Sequence, residues 1–167
     1  PMSADQCCDL CIKTKSAEET FQLGLALGKN ISEPCIIGLQ GDLGAGKTAF
    51  IQGLARGLGV PEQYPITSPS YTIINQYPGR LAFFHVDLYR VEDPEEIEQT
   101  GLAEILSQQH VTAIEWAEHL PDETPKPDIV ILISTQSADT RKFRMFFYGP
   151  RFLNLVENLK KFEQGRT

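Results

Sequence analysis

The chain has 167 residues, a net charge of −7 at pH 7, 41% hydrophobic and 22% charged residues. That size predicts one domain with a sizeable core, of ordinary globular composition. No apolar run approaches the ~20 residues of a membrane-spanning helix, so no membrane partner is expected.

The charge is uneven. Residues 141–167 hold Arg141, Lys142, Arg144, Arg151, Lys160, Lys161 and Arg166 against Glu157 and Glu163, a net +5 that leaves the rest at −12. An acidic body argues against tight, unaided nucleic-acid binding, which rests on phosphate neutralisation. The basic tail reads as a solvated face that could meet an anion or an acidic partner. The opening stretch PMSADQCCDL lacks the basic and apolar segments of a signal peptide, so the expected location is the cytoplasm. Cys8 and Cys11 form a C-x-x-C without a second ligand pair, which reads as thiols without a disulfide, in a reduced compartment, rather than zinc.

In chain order, LCIKTK alternates like a short strand. Ser16 followed by Glu19 fits a capping box, predicting a helix from Ala17 to about Lys29 with Phe21, Leu23, Leu25 and Leu27 as its apolar surface. CIIGLQ (35–40) reads as a buried parallel strand. A glycine-rich loop follows, then a helix to about Leu58 that stops at Gly59. ITSPSYT (66–72) is a polar loop entering the strand TIINQY, and Pro78-Gly79 turns the chain into LAFFHVD (81–87). DPEEIEQTGLAEILSQ predicts helical turns capped by Asp93 and broken near Gly101. VTAIEW (111–116), DIVILIS and KFRMFFY are further strands, and a helix is expected from about Arg151. The pattern is α/β: a P-loop NTPase fold with a mixed, mostly parallel central sheet flanked by helices, in one domain over 1–167.

The loop GDLGAGKT carries the chemistry. Gly41, Gly46, Lys47 and Thr48 satisfy G-x-x-x-x-G-K-[ST] between a buried strand and a helix. Glycines let successive N–H groups of Gly41, Asp42, Leu43, Gly44, Ala45 and Gly46 converge on one anion, and the helix that follows adds its positive end. Lys47 supplies a full charge for the β- and γ-phosphates, and the Thr48 hydroxyl suits Mg²⁺. Gly44, Gly46 and Ala49 also fit a dinucleotide fingerprint, but that reading leaves Gly41, Lys47 and Thr48 unexplained. Such a site needs an acidic group at the end of another strand. Asp87 and Glu115 both qualify, and the residues alone leave open which of them positions water. Thr67, Ser68 and Ser70, stiffened by Pro69, make a possible switch loop, and Trp116 is an aromatic suited to stacking on a base or to the core. PKPD (125–128) lacks the asparagine of guanine recognition, and Asp87 is not followed by a D-x-x-G glycine, so the expected nucleotide is ATP.

GDLGAGKT, SPSYT, HVDLYR, DPEEIEQTG and IEW, in this order and spacing, closely resemble the bacterial TsaE family over about residues 14–135. The resemblance implies a P-loop ATPase of tRNA threonylcarbamoyladenosine synthesis. It would act with TsaD and TsaB on the N6 amine of the adenosine beside the anticodon, contact tRNA through that complex, and reset or regulate the transferase rather than perform the transfer. It assigns Lys47 and Thr48 to phosphate and Mg²⁺, Asp87 to orienting water, Glu115 to the metal and Trp116 to a mobile aromatic near the nucleotide. Ser70 departs from the threonine usual in the family but keeps a hydroxyl. Arg141, in the weakly matching C-terminal part, is the further residue assigned to ATP. Two other readings of the P-loop stay open: a nucleotide-dependent binding switch without required hydrolysis, and a small-molecule kinase.

Overall fold

The computed structural model describes residues 6–42, 44 and 46–165, and the side chains from Cys8 onward. Two positions of the glycine-rich loop, Leu43 and Ala45, therefore lie outside the described residues. Seven strands, β1 (Gln6–Thr14), β2 (Cys35–Gly41), β3 (Ile74–Tyr77), β4 (Phe83–Asp87), β5 (Val111–Glu115), β6 (Ile129–Thr135) and β7 (Arg141–Tyr148), form one sheet in the order β1-β7-β6-β2-β5-β4-β3. The central pairs β6–β2, β2–β5 and β5–β4 are parallel, while β3–β4, β6–β7 and β7–β1 are antiparallel. The short Pro-Gly connection foretells the β3–β4 hairpin. At the other edge β6 and β7 form a second hairpin across residues 136–140, and β1 joins β7 by a long-range pairing that has no local signature.

Among the described residues five α-helices cover the sheet: α1 (Ala17–Asn30), α2 (Lys47–Gly57), α3 (Pro94–Gln99), α4 (Leu102–Leu106) and α5 (Leu153–Gln164). Consecutive residues of a strand point to opposite faces, and β2 shows the result. Ile37 and Leu39 join the larger core with Leu23 and Leu27 of α1, Phe50 and Leu54 of α2, and Leu155 and Leu159 of α5. Ile36 joins a smaller core with Val86, Ile114, Ile97 of α3 and Leu102 of α4. Both faces of the parallel centre are thus buried, which is why its strands read as continuous apolar runs.

The caps behave as their residues dictate. Ser16 Oγ accepts from Glu19 N–H at 3.1 Å, while the Glu19 carboxylate reaches back to Lys15 N–H at 3.3 Å. Asp93 accepts from Glu95 N–H at 2.9 Å, and Gly101 at φ 77° separates α3 from α4. The C-terminal helix begins at Leu153, after a 3₁₀ turn at Pro150–Phe152, slightly later than expected. The α1 face also differs from expectation: Leu23 and Leu27 are buried, but Phe21 and Leu25 are only half-buried. Two glycines complete the buried face. Gly24 and Gly28 of α1 lie against Gly53 and Gly57 of α2 so closely that the two backbones touch. A Cβ on Gly24 would sit 2.1 Å from Phe50 O, and one on Gly53 would sit 2.0 Å from Phe21 O. This backbone-to-backbone seating fixes α2, and with it the loop that α2 carries at its N-terminus.

Candidate functional site: a cleft at the carboxyl ends of the parallel strands

Parallel registry brings the site together. Leu39 of β2 pairs with Glu115 of β5, and Glu115 pairs with Asp87 of β4, so the P-loop and both acids emerge at one edge. Open α/β sheets bind ligands at this edge. A cleft of about 480 Å³ opens here, lined by Gly44, Gly46, Lys47, Thr48, Ser68, Ser70, Asp87, Tyr89, Arg90, Glu115 and Trp116. Another cleft of about 510 Å³ lies at the opposite ends of the strands, around Cys35, His110, Asp128 and Arg151. Its Arg151 is already paired with Asp128 at 3.3 Å and Glu33 at 3.4 Å, so it offers less free charge for a ligand.

The loop takes the conformation its glycines permit. Gly44 has φ 81° and Gly46 φ 99°, both in the left-handed region. Gly46 leads directly into α2, whose first residues are Lys47 and Thr48. Lys47 is buried, and its Nζ donates to Gly41 O at 2.7 Å. Burial pulls its ammonium below the ordinary lysine value, while the carboxylates of Glu115, Glu118, Asp87 and Asp42 oppose the drop. Thr48 is exposed to the cleft.

Asp87 is only 6% exposed, and both of its oxygens are held. Ser68 Oγ donates to Oδ2 at 2.7 Å and Tyr89 N–H to Oδ1 at 2.9 Å. Asp87 N–H in turn donates to Ile73 O at 2.9 Å. Loop 66–73 is therefore latched to the acid at two points. Ile73 holds φ 70°, an outlying conformation for a β-branched residue, of the kind found at switches and functional sites. Ser68 and Ser70 face the cleft as the sequence suggests, whereas Thr67 is exposed and does not line it.

Trp116 also has a positive φ, 58°, which turns its ring over the loop. The ring centroid lies 3.9 Å from Lys47 Nζ, a cation–π contact, and 5.0 Å from the Tyr89 ring. It lines the cleft while packing, half-buried, against the smaller core. Arg141 sits beside the loop, its Cγ 3.8 Å from where a Gly46 Cβ would be. It occupies a side hollow of about 120 Å³ with Ser16, Thr20 and Ala49 rather than the main cleft. Its Nη1 donates to the carbonyls of Ser137 and Ala138, and its buried Nε has no hydrogen-bond partner among the described residues.

Sequence reasoning missed His85, Tyr89 and Arg90. His85 carried a signal: a polar residue inside the buried run FFHVD needs a buried partner, and its partner is Glu115. The donors facing the cleft fit a hard divalent cation, because the Thr48 hydroxyl and the Asp87 and Glu115 carboxylates are all oxygen ligands. The N–H-rich loop and Lys47 fit a polyanion.

These features define an α/β protein of the P-loop class. The family model described as "Threonylcarbamoyl adenosine biosynthesis protein TsaE" matches residues 14–143, and the chain belongs to the TsaE family. It is 36% identical over 129 residues to a tRNA threonylcarbamoyladenosine biosynthesis protein TsaE of Treponema pallidum, covering 77% of this chain and 94% of that one. It is 35% identical over 150 residues to the protein of that name from Bacillus subtilis, covering 89% and 92%. The crystal structure of Bacillus subtilis YdiB superposes with a TM-score of 0.71 at 33% identity, over 92% of this chain and 95% of that one.

Proposed function

We propose that the chain is the Mg²⁺-dependent ATPase subunit of tRNA threonylcarbamoyladenosine synthesis, working in the cytoplasm with TsaD and TsaB. The single observation that supports this most is the convergence of P-loop, Thr48, Asp87 and Glu115 in one cleft of a TsaE-family chain. The relatives' names supply the pathway, and the cleft supplies the chemistry. ATP brings the phosphoanhydride to be hydrolysed, and Mg²⁺ bound with it neutralises charge on the terminal phosphates.

This chain's residues do the rest. The loop amides and Lys47 Nζ grip the triphosphate, with Lys47 leaving Gly41 O to do so. Thr48 and Glu115 would hold the metal. Arg141, in the hollow beside Gly46, would add a positive charge next to the loop that holds ATP. Asp87 orients the attacking water: each carboxylate oxygen retains a lone pair after accepting from Ser68 or Tyr89. Among the described residues the cleft contributes Arg90, but that guanidinium lies 4.8 Å from the exposed Tyr71 ring, at the rim. Turnover by the isolated chain is therefore slow, and a group supplied by the partners completes the site.

The test is phosphate release from ATP by the purified chain, alone and with TsaB and TsaD. The proposal expects stimulation by the partners. An unchanged rate would count against it. A second reading, a nucleotide switch in which hydrolysis is incidental, is favoured by the latch between loop 66–73 and Asp87. Asp87→Asn separates the two: tRNA modification that persists without hydrolysis selects the switch.

A further inference from the structure

We propose that His85 is a positioning residue that holds Glu115 for the metal. The inference rests on the reading above, in which Glu115 is a Mg²⁺ group. His85 and Asp87 are two residues apart on β4 and share a face, and Asp87 lies directly opposite Glu115 on β5. Two carboxylates directly opposed across a strand pair repel. The structure resolves this by drawing Glu115 back along its own strand, toward the diagonal neighbour. His85 Nε2 lies 2.7 Å from Glu115 Oε2, with His85 1% and Glu115 4% exposed. Because a carboxylate only accepts, Nε2 carries the hydrogen of this bond. The bond occupies Oε2 and leaves Oε1 for the cleft that Glu115 lines.

Two further observations say that the pair is there for Glu115 rather than for the fold. His85 Nδ1 is buried without a hydrogen-bond partner among the described residues, so the ring carries an unsatisfied polar atom that the packing of this position does not need, and its one polar contact is with Glu115. Its plane is set instead by packing, since it stacks on Phe83 at 6.5 Å and 10°. A packed ring with one directed hydrogen bond is a fixed anchor. Lys47 is the alternative partner for Glu115 in the same cleft, and an unanchored Glu115 would turn toward that ammonium and away from a metal. Groups that orient metal ligands from behind commonly change metal affinity 10–100-fold when lost.

The experiment is calorimetric titration of a non-hydrolysable ATP analogue into the full chain, with and without Mg²⁺, for wild type, His85→Leu and His85→Gln. Leucine fills the site but offers no donor, while glutamine places an amide N–H near the position of Nε2. The expected result is a 10–100-fold loss of the Mg²⁺-linked tightening in His85→Leu, metal-free affinity within about twofold of wild type, and recovery in His85→Gln. Equal losses with and without metal, the pattern of a purely structural role, overturn the proposal, as does tightening that survives in His85→Leu. If the leucine variant does not fold, His85→Gln and His85→Asn are compared instead: asparagine places its amide short of Glu115, and equal tightening in the two overturns the proposal. A wild-type chain with no Mg²⁺-linked tightening overturns the ATPase reading itself, and the His85 proposal with it.

Discussion

Gly53→Ala isolates the contact that seats the P-loop helix. Alanine is the better helix former by ~1 kcal/mol, so propensity alone predicts a more stable protein. The structure predicts the reverse. The new Cβ would lie 2.0 Å from Phe21 O and 2.9 Å from Leu25 N, where ordinary contact begins at 3.4 Å. Restoring ordinary contact with Phe21 O needs α1 and α2 to separate by about 1.4 Å, the difference between 3.4 and 2.0 Å. Both obstructing atoms are backbone, so no side chain can rotate away. Overpacking of this kind costs about 1–3 kcal/mol, and with nothing yielding the upper end applies. Offset by the propensity gain, the net loss is ~2 kcal/mol, or about 4–8 °C in Tm for a chain of this size. Thermal denaturation followed by circular dichroism measures it. Gly165→Ala is the control, since its nearest contacts are 3.5 and 3.6 Å and its stability should change by less than ~0.5 kcal/mol. A Gly53→Ala chain melting at or above the wild-type temperature would falsify the reasoning.

Three further outcomes are expected. Asp87→Asn keeps an acceptor for Ser68 but removes the carboxylate, so ATP hydrolysis should fall by about 10²–10⁴-fold while analogue binding measured by calorimetry stays near wild type; hydrolysis within threefold or so of wild type would remove Asp87 from the chemistry. Arg80 donates to Ile31 O at 3.1 Å, Gly28 O at 2.8 Å and Gly57 O at 3.1 Å, clamping the ends of both α1 and α2. Arg80→Ala should therefore cost ~1–2 kcal/mol in urea denaturation, a figure discounted because the residue is exposed, and no loss would contradict the clamp. Burial, with Asp128 adding to it, pushes the Cys35 thiol from 9.0 up to about 12. Its contribution is complete below pH 9.0 and is lost as pH rises toward about 12, because the unfolded thiol ionises first. The slope is at most about 1.4 kcal/mol per pH unit, so Cys35→Ala should lose stability less steeply than wild type above about pH 9; parallel curves would refute the assignment.

What was legible in the sequence was local. Ser16 and Asp93 announce helix starts because their short side chains satisfy backbone donors within three residues, and Gly101 announces a break because only glycine takes φ 77° readily. Asp87 and Glu115 were recognisable as strand-end acids, and the spacing of Gly41, Gly46, Lys47 and Thr48 is itself a backbone geometry. What escaped depends on partners distant in sequence. His85 and Glu115 are 30 residues apart and meet only because β4 and β5 are in register. The place of β1 beside β7 at one edge of the sheet has no local mark either. The glycines at 24, 28, 53 and 57 did carry a signal, a four-residue spacing repeated on two helices, which puts each pair on one helix face. An apolar-surface reading weights Phe21 and Leu25 and overlooks it.

The proposed activity stands on a Mg²⁺–ATP site in this cleft, gripped by the loop amides and Lys47. Calorimetric titration of ATP, with Mg²⁺ present and then absent, into the wild-type and Lys47→Ala chains tests it most directly. The expected result is one site on the wild type that tightens with Mg²⁺, and binding weakened at least about tenfold by Lys47→Ala, the loss of one desolvated charge-assisted contact. No uptake by the wild type, or equal affinity in the two chains, would contradict it.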